Sequence, residues 1–336
     1  MKRIYFDNAA STPIPKRVLK VIKPYLTKFY GNPSSLHKEG RLVNLGIAKA
    51  REQVANALHC KTNEIFFTSG ASESNSWIAY SIPILLTDGS NHDSLELATE
   101  NYKDKKNKIS GIAISAINSE TGLSNMDKSY NDNQWVHVDL TQAIGKQNIN
   151  LEEMQWIDSA SFSGHKFGAL KGVGVLFVRE SKQEVLKPLI YGHQENELRG
   201  GTENVVGIIS LGEAIELATI NMQKNVNKVS NICNFIVNNL SKNNVNVKSN
   251  NGIINITFND LLGNTAANIL DLQGIAVSVG SACNSGSDKP SKVLLLNGYT
   301  EEEALRTIRV SIGFQNTKKE ARRFCRVIRK IIDKYD

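Results

Sequence analysis

The chain has 336 residues, and its 40% hydrophobic content is enough to bury a substantial core. Lys and Arg total 40 against 33 Asp and Glu, so the formal charge of +7 is too small to indicate a dedicated nucleic-acid-binding protein. No signal-peptide pattern and no apolar run of membrane-spanning length is visible, and we therefore expect a cytoplasmic protein that works without a membrane.

Cysteine usage points to the same compartment. The four cysteines lie far apart and form no CxxC pair; they are Cys60, Cys233, Cys283 and Cys325. This spacing is typical of reduced thiols in a reducing compartment, and it argues against a disulfide scaffold or a zinc site.

From residue 16 to about 215, short β-branched or aromatic runs alternate with helical patterns. The runs are EIFFT (64–68), IPILLT (82–87), GIAISAI (111–117), WVHVD (135–139), WIDSASF (156–162) and VGVLFV (173–178). Strands alternating with helices predict an α/β fold with a mostly parallel sheet covered on both faces. Ligands in such sheets bind at the carboxyl ends of the strands, where the polar clusters TSGASES, NSETG, HVDLTQ and SFSGHK follow the runs.

The rest of the chain has a different pattern. A helical stretch from about Val205 to Leu240 is followed by an Asn-rich segment, and GIINITF (252–258) and AVSVGSA (276–282) are typical of strands. The pattern predicts two domains, which we place at 12–222 for a large cofactor-binding domain and at 1–11 with 223–336 for a smaller α+β domain.

The chain ends in a predicted amphipathic helix. Its apolar face carries Ala321, Phe324, Cys325, Ile328, Ile331, Ile332 and Tyr335. The basic residues between Lys318 and Lys330 lie on the other face, where an ordinary solvated surface is the favoured interpretation over a functional patch.

Lys166, in Ser-Gly-His-Lys, closes a predicted strand. A lysine at such a place is usually a solvated loop residue, but it is also the residue type that forms a Schiff base with pyridoxal phosphate. That cofactor requires an acidic partner for its pyridine nitrogen and a helix N-terminus for its phosphate. Asp139 and the turn at 69–73 supply both at other strand ends, and this joint occurrence favours the cofactor site.

Nine ordered motifs resemble the cysteine desulfurases of aminotransferase class V, which have the fold of the fold type I pyridoxal enzymes. The matching segments are YFDNAAST (5–12), GNPSSLH (31–37), EIFFTSGASES (64–74), NSETG (118–122), HVDLTQAIGK (137–146), SFSGHKFGALKGVGVLFVR (161–179), LRGGTEN (198–204), SVGSACNSGSDKPS (278–291) and TIRVSIG (307–313). The likeness covers nearly the whole chain.

The resemblance implies a set of cofactor contacts. Lys166 would be the Schiff-base lysine, Asp139 would pair with the pyridine nitrogen, and Gln142 would hydrogen-bond the phenolic oxygen. Phosphate contacts would come from Ala71, Ser72, Ser163 and His165. Thr202 resembles a residue that reaches the phosphate in the neighbouring subunit, which implies a homodimer.

The resemblance also implies residues for substrate and catalysis. His92 would stack on the cofactor ring and move protons, while Arg309 would grip the carboxylate of L-cysteine with Asn32 nearby. Cys283 would receive the sulfur as a persulfide, and its Gly- and Ser-rich surroundings up to Ser291 suit a mobile thiolate.

Four features depart from the family pattern. Ser119 stands where an asparagine would contact the cofactor, Asn91 replaces the acidic residue before the stacking histidine, and Ala169-Leu170 replaces Gly-Pro. The stretch between His92 and Asn118 is also shorter, as if a helix and a strand were missing. We expect Ser119 to keep a cofactor hydrogen bond, if needed through water.

The motifs therefore predict removal of sulfur from L-cysteine, giving L-alanine and a persulfide on Cys283. The acceptor would be a protein of iron–sulfur cluster assembly or tRNA thiolation. Two alternatives stay open: a related pyridoxal lyase or aminotransferase, such as a selenocysteine lyase-like enzyme, and a non-catalytic scaffold derived from the fold.

Overall fold

The computed structural model describes residues 3–82, 84–102, 110–126, 134–241, 245–280 and 289–335. They form two compact units, which we call the large unit (13–116 and 125–222) and the small unit (1–12, 117–124 and 223–336).

The described part of the large unit contains a six-stranded sheet of order β2-β7-β6-β5-β4-β3. The strands are β2 (Ile65–Thr68), β3 (Ile84–Leu86), β4 (Ser110–Ser115), β5 (Trp135–Asp139), β6 (Ser159–Ser163) and β7 (Gly174–Val178). Only β7 runs antiparallel to its neighbours, so the α/β class with a mostly parallel sheet is confirmed. All residues of β5 and β7 are buried, because helices cover both faces of a parallel sheet.

In the part of the large unit that the structure describes, five α-helices accompany the sheet. They are α1 (Lys16–Thr27), α2 (Lys38–Leu58), α3 (Ala71–Ser81), α4 (Asp93–Asn101) and α5 (Val205–Ile220). Helix α5 crosses α2 closely at Gly212, where an added methyl group would lie 2.7 Å from Cα of Ala50. A side chain at position 212 would therefore separate the two helices.

The small unit has a three-stranded antiparallel sheet of order β11-β9-β8 and a two-stranded parallel sheet of β1 with β10. Its strands are β1 (Ile4–Tyr5), β8 (Val245–Asn250), β9 (Ile253–Phe258), β10 (Ile275–Ala276) and β11 (Thr307–Ser311). Its helices are α6 (Met222–Leu240), α7 (Gly263–Leu272), α8 (Lys292–Leu296), α9 (Glu301–Leu305) and α10 (Lys318–Tyr335). The apolar face predicted for α10 is buried except for Tyr335, which is 44% exposed at the chain end.

The structure differs from the sequence predictions at three places. The stretch 205–240 is two helices, because Asn221 ends α5 and its side-chain amide donates to the carbonyl of Leu217. Strand β10 covers only the start of AVSVGSA, since Ser278 instead bridges to Arg309. The segment 117–124, predicted within the large domain, lies in the small unit, where Asn255 donates to the carbonyl of Glu120.

Within the described ranges, no single helix is long and apolar enough to cross a membrane. Helices α5 and α6 together would meet the length and composition, but nine of the sixteen residues of α5 are buried inside the protein. The same ranges hold no cluster of three or more His, Cys, Asp or Glu side chains arranged for a metal ion.

Candidate active site

The carboxyl ends of the parallel strands lie at one edge of the large-unit sheet. Asp139 ends β5, opposite Ser161 of β6, and a 3₁₀ turn over Gly164–Lys166 follows β6 directly. The structure thus brings Asp139 and Lys166, both predicted site residues, to neighbouring strand ends.

The N-terminus of α3 lies beside the end of β6. The hydroxyl of Ser163 accepts a hydrogen bond from the backbone N–H of Ala71 at 2.8 Å. The amide of Ser72, in the first turn, has no acceptor within the helix. The turn before α3 can approach β7 closely only because both positions are glycine, since a methyl group at Gly174 would lie 2.5 Å from Cα of Gly70. Three of the residues predicted to hold the phosphate therefore surround one helix N-terminus.

The carboxylate of Asp139 is buried and held in place from both sides. Oδ1 accepts from the backbone N–H of Thr141 at 2.9 Å, and Oδ2 accepts from the side-chain amide of Asn75 at 3.2 Å. A carboxylate fixed in this way suits a cationic nitrogen, because the charged pair is shielded from water.

His137 lies two residues before Asp139 and so shares its face of β5. Burial lowers the pKa of His137 to about 4, although the charge of Asp139 opposes the shift. The ring is therefore neutral near pH 7. Its Nδ1 lies 2.9 Å from the Ser159 hydroxyl and its Nε2 lies 3.0 Å from Oδ1 of Asn75.

His92 is half-buried at the N-terminus of α4. Its Nδ1 accepts from the backbone N–H of Ser94 at 3.1 Å and lies 2.9 Å from the Ser94 hydroxyl. The preceding Asn91, one of the departures from the family pattern, accepts from the backbone N–H of Ser115 at 2.6 Å and donates to Glu96 at 2.9 Å. Glu96, in the first turn of α4, thus places a carboxylate beside Asn91, where the family pattern has an acidic residue.

Three further predicted residues lie in the large unit. Burial, then the charges of Lys166 and Lys171, lowers the pKa of His165 to about 4, so its imidazole is neutral near pH 7. Gln142 is buried and accepts from the ammonium of Lys146 at 2.9 Å. Asn32 is exposed and its side chain accepts from the backbone N–H of Ser34 at 2.9 Å.

Thr202 lines a cavity of about 190 Å³ in the large unit. Ser69 and Gly172 line the same cavity, and so does Arg199, which forms an ion pair with Glu73 of α3 at 2.8 Å. Thr202 is exposed and lies next to the β2–α3 turn of its own chain. Its predicted contact with a neighbouring subunit stays a prediction.

The small unit holds Arg309, which is 2% exposed in β11. Its Nη2 donates to the carboxylate of Asp7 at 3.0 Å, and its Nη1 donates to the carbonyl of Ser119 at 2.9 Å. Its Nε is buried and makes no hydrogen bond with any described residue. A buried guanidinium with one unused N–H suits a small anionic ligand.

Cys283 and the centre of its loop lie outside the described residues. At the end of that segment, Ser291 donates to the carboxylate of Glu120 at 2.6 Å and caps α8. Among the described residues the other three cysteines form no disulfide, and burial raises the pKa of Cys60 to about 12 and that of Cys325 to about 11.

These features fit pyridoxal phosphate. The buried Asp139 suits the pyridine nitrogen, the α3 N-terminus with Ser163 suits the phosphate, and Lys166 follows the adjoining strand. The fold is that of the fold type I pyridoxal-phosphate enzymes.

One known protein family matches nearly the whole chain. The family model described as aminotransferase class-V matches residues 4–93 and 93–324, and the chain belongs to this family. It is 34% identical to a protein named cysteine desulfurase IscS from Dictyoglomus turgidum, over 99% of this chain and 96% of that protein. The alignment spans 383 residues, more than the 336 of this chain, which agrees with a shortened chain.

Solved structures give the same likeness. A structure described as a NifS-like protein matches with a TM-score of 0.89 and 30% identity, over 98% of this chain and 99% of that chain. A structure of SspA in complex with cysteine matches with a TM-score of 0.78 and 28% identity, over 94% of this chain and 100% of that chain.

Four residues were not predicted from the sequence. Asp7, Asn75 and Ser94 hydrogen-bond the predicted residues Arg309, Asp139 and His92, and His137 hydrogen-bonds Asn75. For two of them, Asn75 and His137, the sequence contains a spacing from which the position beside the site could have been predicted. Asn75 lies four residues after Ala71 and so faces the same side of α3, and His137 shares the face of Asp139 through the two-residue period of a strand.

Proposed function

We propose that this chain is a pyridoxal-phosphate-dependent cysteine desulfurase. The observation that carries the proposal is the buried carboxylate of Asp139, held by Asn75 at the end of β5, beside the strand that leads to Lys166. The full-length likeness to proteins named cysteine desulfurase supports the assignment of L-cysteine as substrate.

In this proposal the cofactor is held by residues of the large unit, except for Ser119 of the small unit. Lys166 attaches it covalently, and Asp139 pairs with the pyridine nitrogen. Gln142 donates to the phenolic oxygen, and Ser119 supplies a further contact. Phosphate contacts come from Ala71, Ser72, Ser163 and His165, with Thr202 contributed by a second subunit. When bound, pyridoxal phosphate supplies an electron sink for the substrate's amino-bearing carbon.

Arg309 binds the carboxylate of L-cysteine, with Asn32 as a further contact. The Nε–H of Arg309 makes no hydrogen bond with any described residue and is the donor that the guanidinium can offer to the carboxylate. Burial strengthens the contact, because little water competes for the charge.

His92 moves protons at the substrate and Cys283 accepts the sulfur. The Cys283 thiolate attacks the substrate sulfur, so that an S–S bond forms as the C–S bond breaks. The electron pair of the broken bond stays with carbon, which takes up a proton. The products are L-alanine and the Cys283 persulfide, with no external oxidant or reductant consumed.

The proposal includes a homodimer and a protein that receives the sulfur, in iron–sulfur cluster assembly or tRNA thiolation. We also place the protein in the cytoplasm, because its four cysteines lie far apart in the sequence and form no CxxC pair.

The test is product analysis with L-cysteine and an added dithiol. A desulfurase releases L-alanine and sulfide in equal amounts. Release of pyruvate and ammonia would instead indicate an eliminating lyase, and no turnover with bound cofactor would indicate a non-catalytic scaffold. Lys171, exposed five residues after Lys166, gives a matched control, since Lys171→Ala should retain turnover that Lys166→Ala loses.

A further inference from the structure

Asn75 lies in the second turn of α3 and has no exposed surface. Its amide makes four hydrogen bonds. Oδ1 lies 2.5 Å from the hydroxyl of Ser161 and 3.0 Å from Nε2 of His137, while Nδ2 lies 3.2 Å from Asp139 and 3.0 Å from the hydroxyl of Ser94. This amide uses its full hydrogen-bonding capacity on the predicted site residue Asp139 and on Ser161, His137 and Ser94.

The direction of each hydrogen bond follows from Asp139. A carboxylate oxygen only accepts, so the group of Asn75 that faces it is the amide nitrogen. The opposite oxygen must then accept from Ser161 and from Nε2 of His137. His137 therefore carries its proton on Nε2.

The same reasoning extends to His92. The Ser94 hydroxyl accepts from Asn75, so its own hydrogen points to Nδ1 of His92, 2.9 Å away. The backbone N–H of Ser94 also donates to Nδ1. Two donors on Nδ1 leave that nitrogen without a proton, and the neutral ring carries its proton on Nε2.

We propose that Asn75 is a positioning residue that orients Asp139 directly and fixes the tautomer of His92 through Ser94. The proposal rests on the function proposed above, because Asp139 and His92 have their roles in it. Nε2 is then the nitrogen through which His92 exchanges protons, and Nδ1 is reserved for Ser94. One set of hydrogen bonds through Asn75 thus links Asp139, the partner of the pyridine nitrogen, to His92, which moves protons.

The hydrogen bonds of Asn75 also tie α3 and α4 to the sheet, so a loss of stability alone would not support the proposal. The decisive readout is the tautomer, measured by two-bond proton–nitrogen correlation on protein labelled with ¹⁵N-histidine. The chain has six histidines, and the His92 resonances are those absent from the spectrum of His92→Gln. In the parent protein with bound cofactor, we expect a proton on Nε2 and an unprotonated, hydrogen-bonded Nδ1 at pH 8.

Variants test whether Asn75 affects His92 through the hydroxyl of Ser94. Ser94→Ala and Asn75→Ala should each shift the Nδ1 resonance downfield, because a donor to its lone pair is removed or no longer oriented. In the Ser94→Ala background, Asn75→Ala should produce no further shift of that resonance. Thr99→Val is the matched control on the same helix and should leave the resonance unchanged, since among the described residues the Thr99 hydroxyl bonds only the carbonyl of Glu96.

Kinetics give a second readout. Asn75→Ala should lower kcat about tenfold while the KM for L-cysteine changes less than about twofold, since the lost hydrogen bonds do not contact the substrate. A proton on Nδ1 in the parent protein would overturn the proposal, and so would additive shifts in the double variant. If Asn75→Ala does not fold, the parent spectrum and Ser94→Ala still decide which nitrogen of His92 carries the proton and whether Ser94 bonds the other. A protein with the expected tautomer but no desulfuration would contradict the proposed function and leave the tautomer assignment standing.

Discussion

Arg309 donates from Nη2 to the carboxylate of Asp7 at 3.0 Å, and in this ion pair the Arg309 side chain is 3% exposed and the Asp7 side chain 18%. The next residue, Asn8, donates from its side-chain amide to the carbonyl of Ser311 at 2.9 Å, so the N-terminal segment is anchored beside Arg309. The guanidinium is thereby held in one orientation before any ligand arrives.

Asp7 should also weaken the hold of Arg309 on a substrate carboxylate, because the two anions share one cation. Asp7→Asn keeps an acceptor for Nη2 and removes the competing charge. We expect the KM for L-cysteine to fall by about three- to tenfold and kcat to change less than about twofold, measured by steady-state kinetics. Asp7→Ala, which also removes the acceptor, is the comparison. A rise in KM for Asp7→Asn would show that the carboxylate only positions Arg309.

Covalent attachment of the cofactor should depend on Lys166. After borohydride reduction, intact-mass spectrometry of the parent protein should show one added pyridoxal phosphate. Lys166→Ala should lose both this adduct and the visible absorbance band, whereas Lys171→Ala should keep them. Retention of the reduced adduct in Lys166→Ala would place the attachment on another lysine.

The stability of the cofactor-free protein should fall in acid. The pKa of His137 is lowered from 6.5 to about 4, so between these values the unfolded chain binds a proton that the folded protein does not. Stability is therefore complete above pH 6.5 and is lost as the pH falls toward 4, by about 3 kcal/mol for this group. Urea unfolding at pH 7.5 and pH 4.5 measures the change. His137→Gln should lose less stability between these two pH values than the parent protein. His165, whose pKa is also lowered, should account for part of the loss that remains. If the variant lost as much stability as the parent, His137 would be excluded as a cause.

The active species should be a two-fold symmetric homodimer, because Thr202 is assigned to the phosphate of the neighbouring subunit. Sedimentation velocity should give twice the mass of the chain. Thr202→Val should release pyridoxal phosphate more readily, followed by absorbance during dialysis, without changing the sedimenting mass. A fully active monomer would contradict the shared site.

Much of the large unit could be predicted from the sequence, because buried strands of a parallel sheet are short runs of apolar residues. The runs at 64–68 and 173–178 match β2 and β7 closely. The direction of β7 and the sheet order were not predicted, since long-range pairing leaves no local pattern. The break at Asn221 was missed because the stretch contains no proline and its helical pattern continues.

For the site, the sequence identified the residues placed at strand ends but not the polar residues that hold them. Asp139 and Lys166 follow apolar runs and stand out, whereas Asn75 lies inside a helix, where an asparagine usually faces water. Only the packing of α3 against β5 shows that Asn75 is buried beside Asp139.

The central claim is that Cys283 receives the sulfur of L-cysteine. Its most direct test is a single-turnover reaction without reductant, followed by alkylation and peptide mass spectrometry. The account predicts one added sulfur atom on the peptide that contains Cys283 and none on peptides with Cys60, Cys233 or Cys325. In Cys283→Ala, cofactor binding should remain while persulfide formation and dithiol-dependent sulfide release fall on the order of a thousandfold. Desulfuration of L-cysteine at the parental rate by Cys283→Ala would contradict the account.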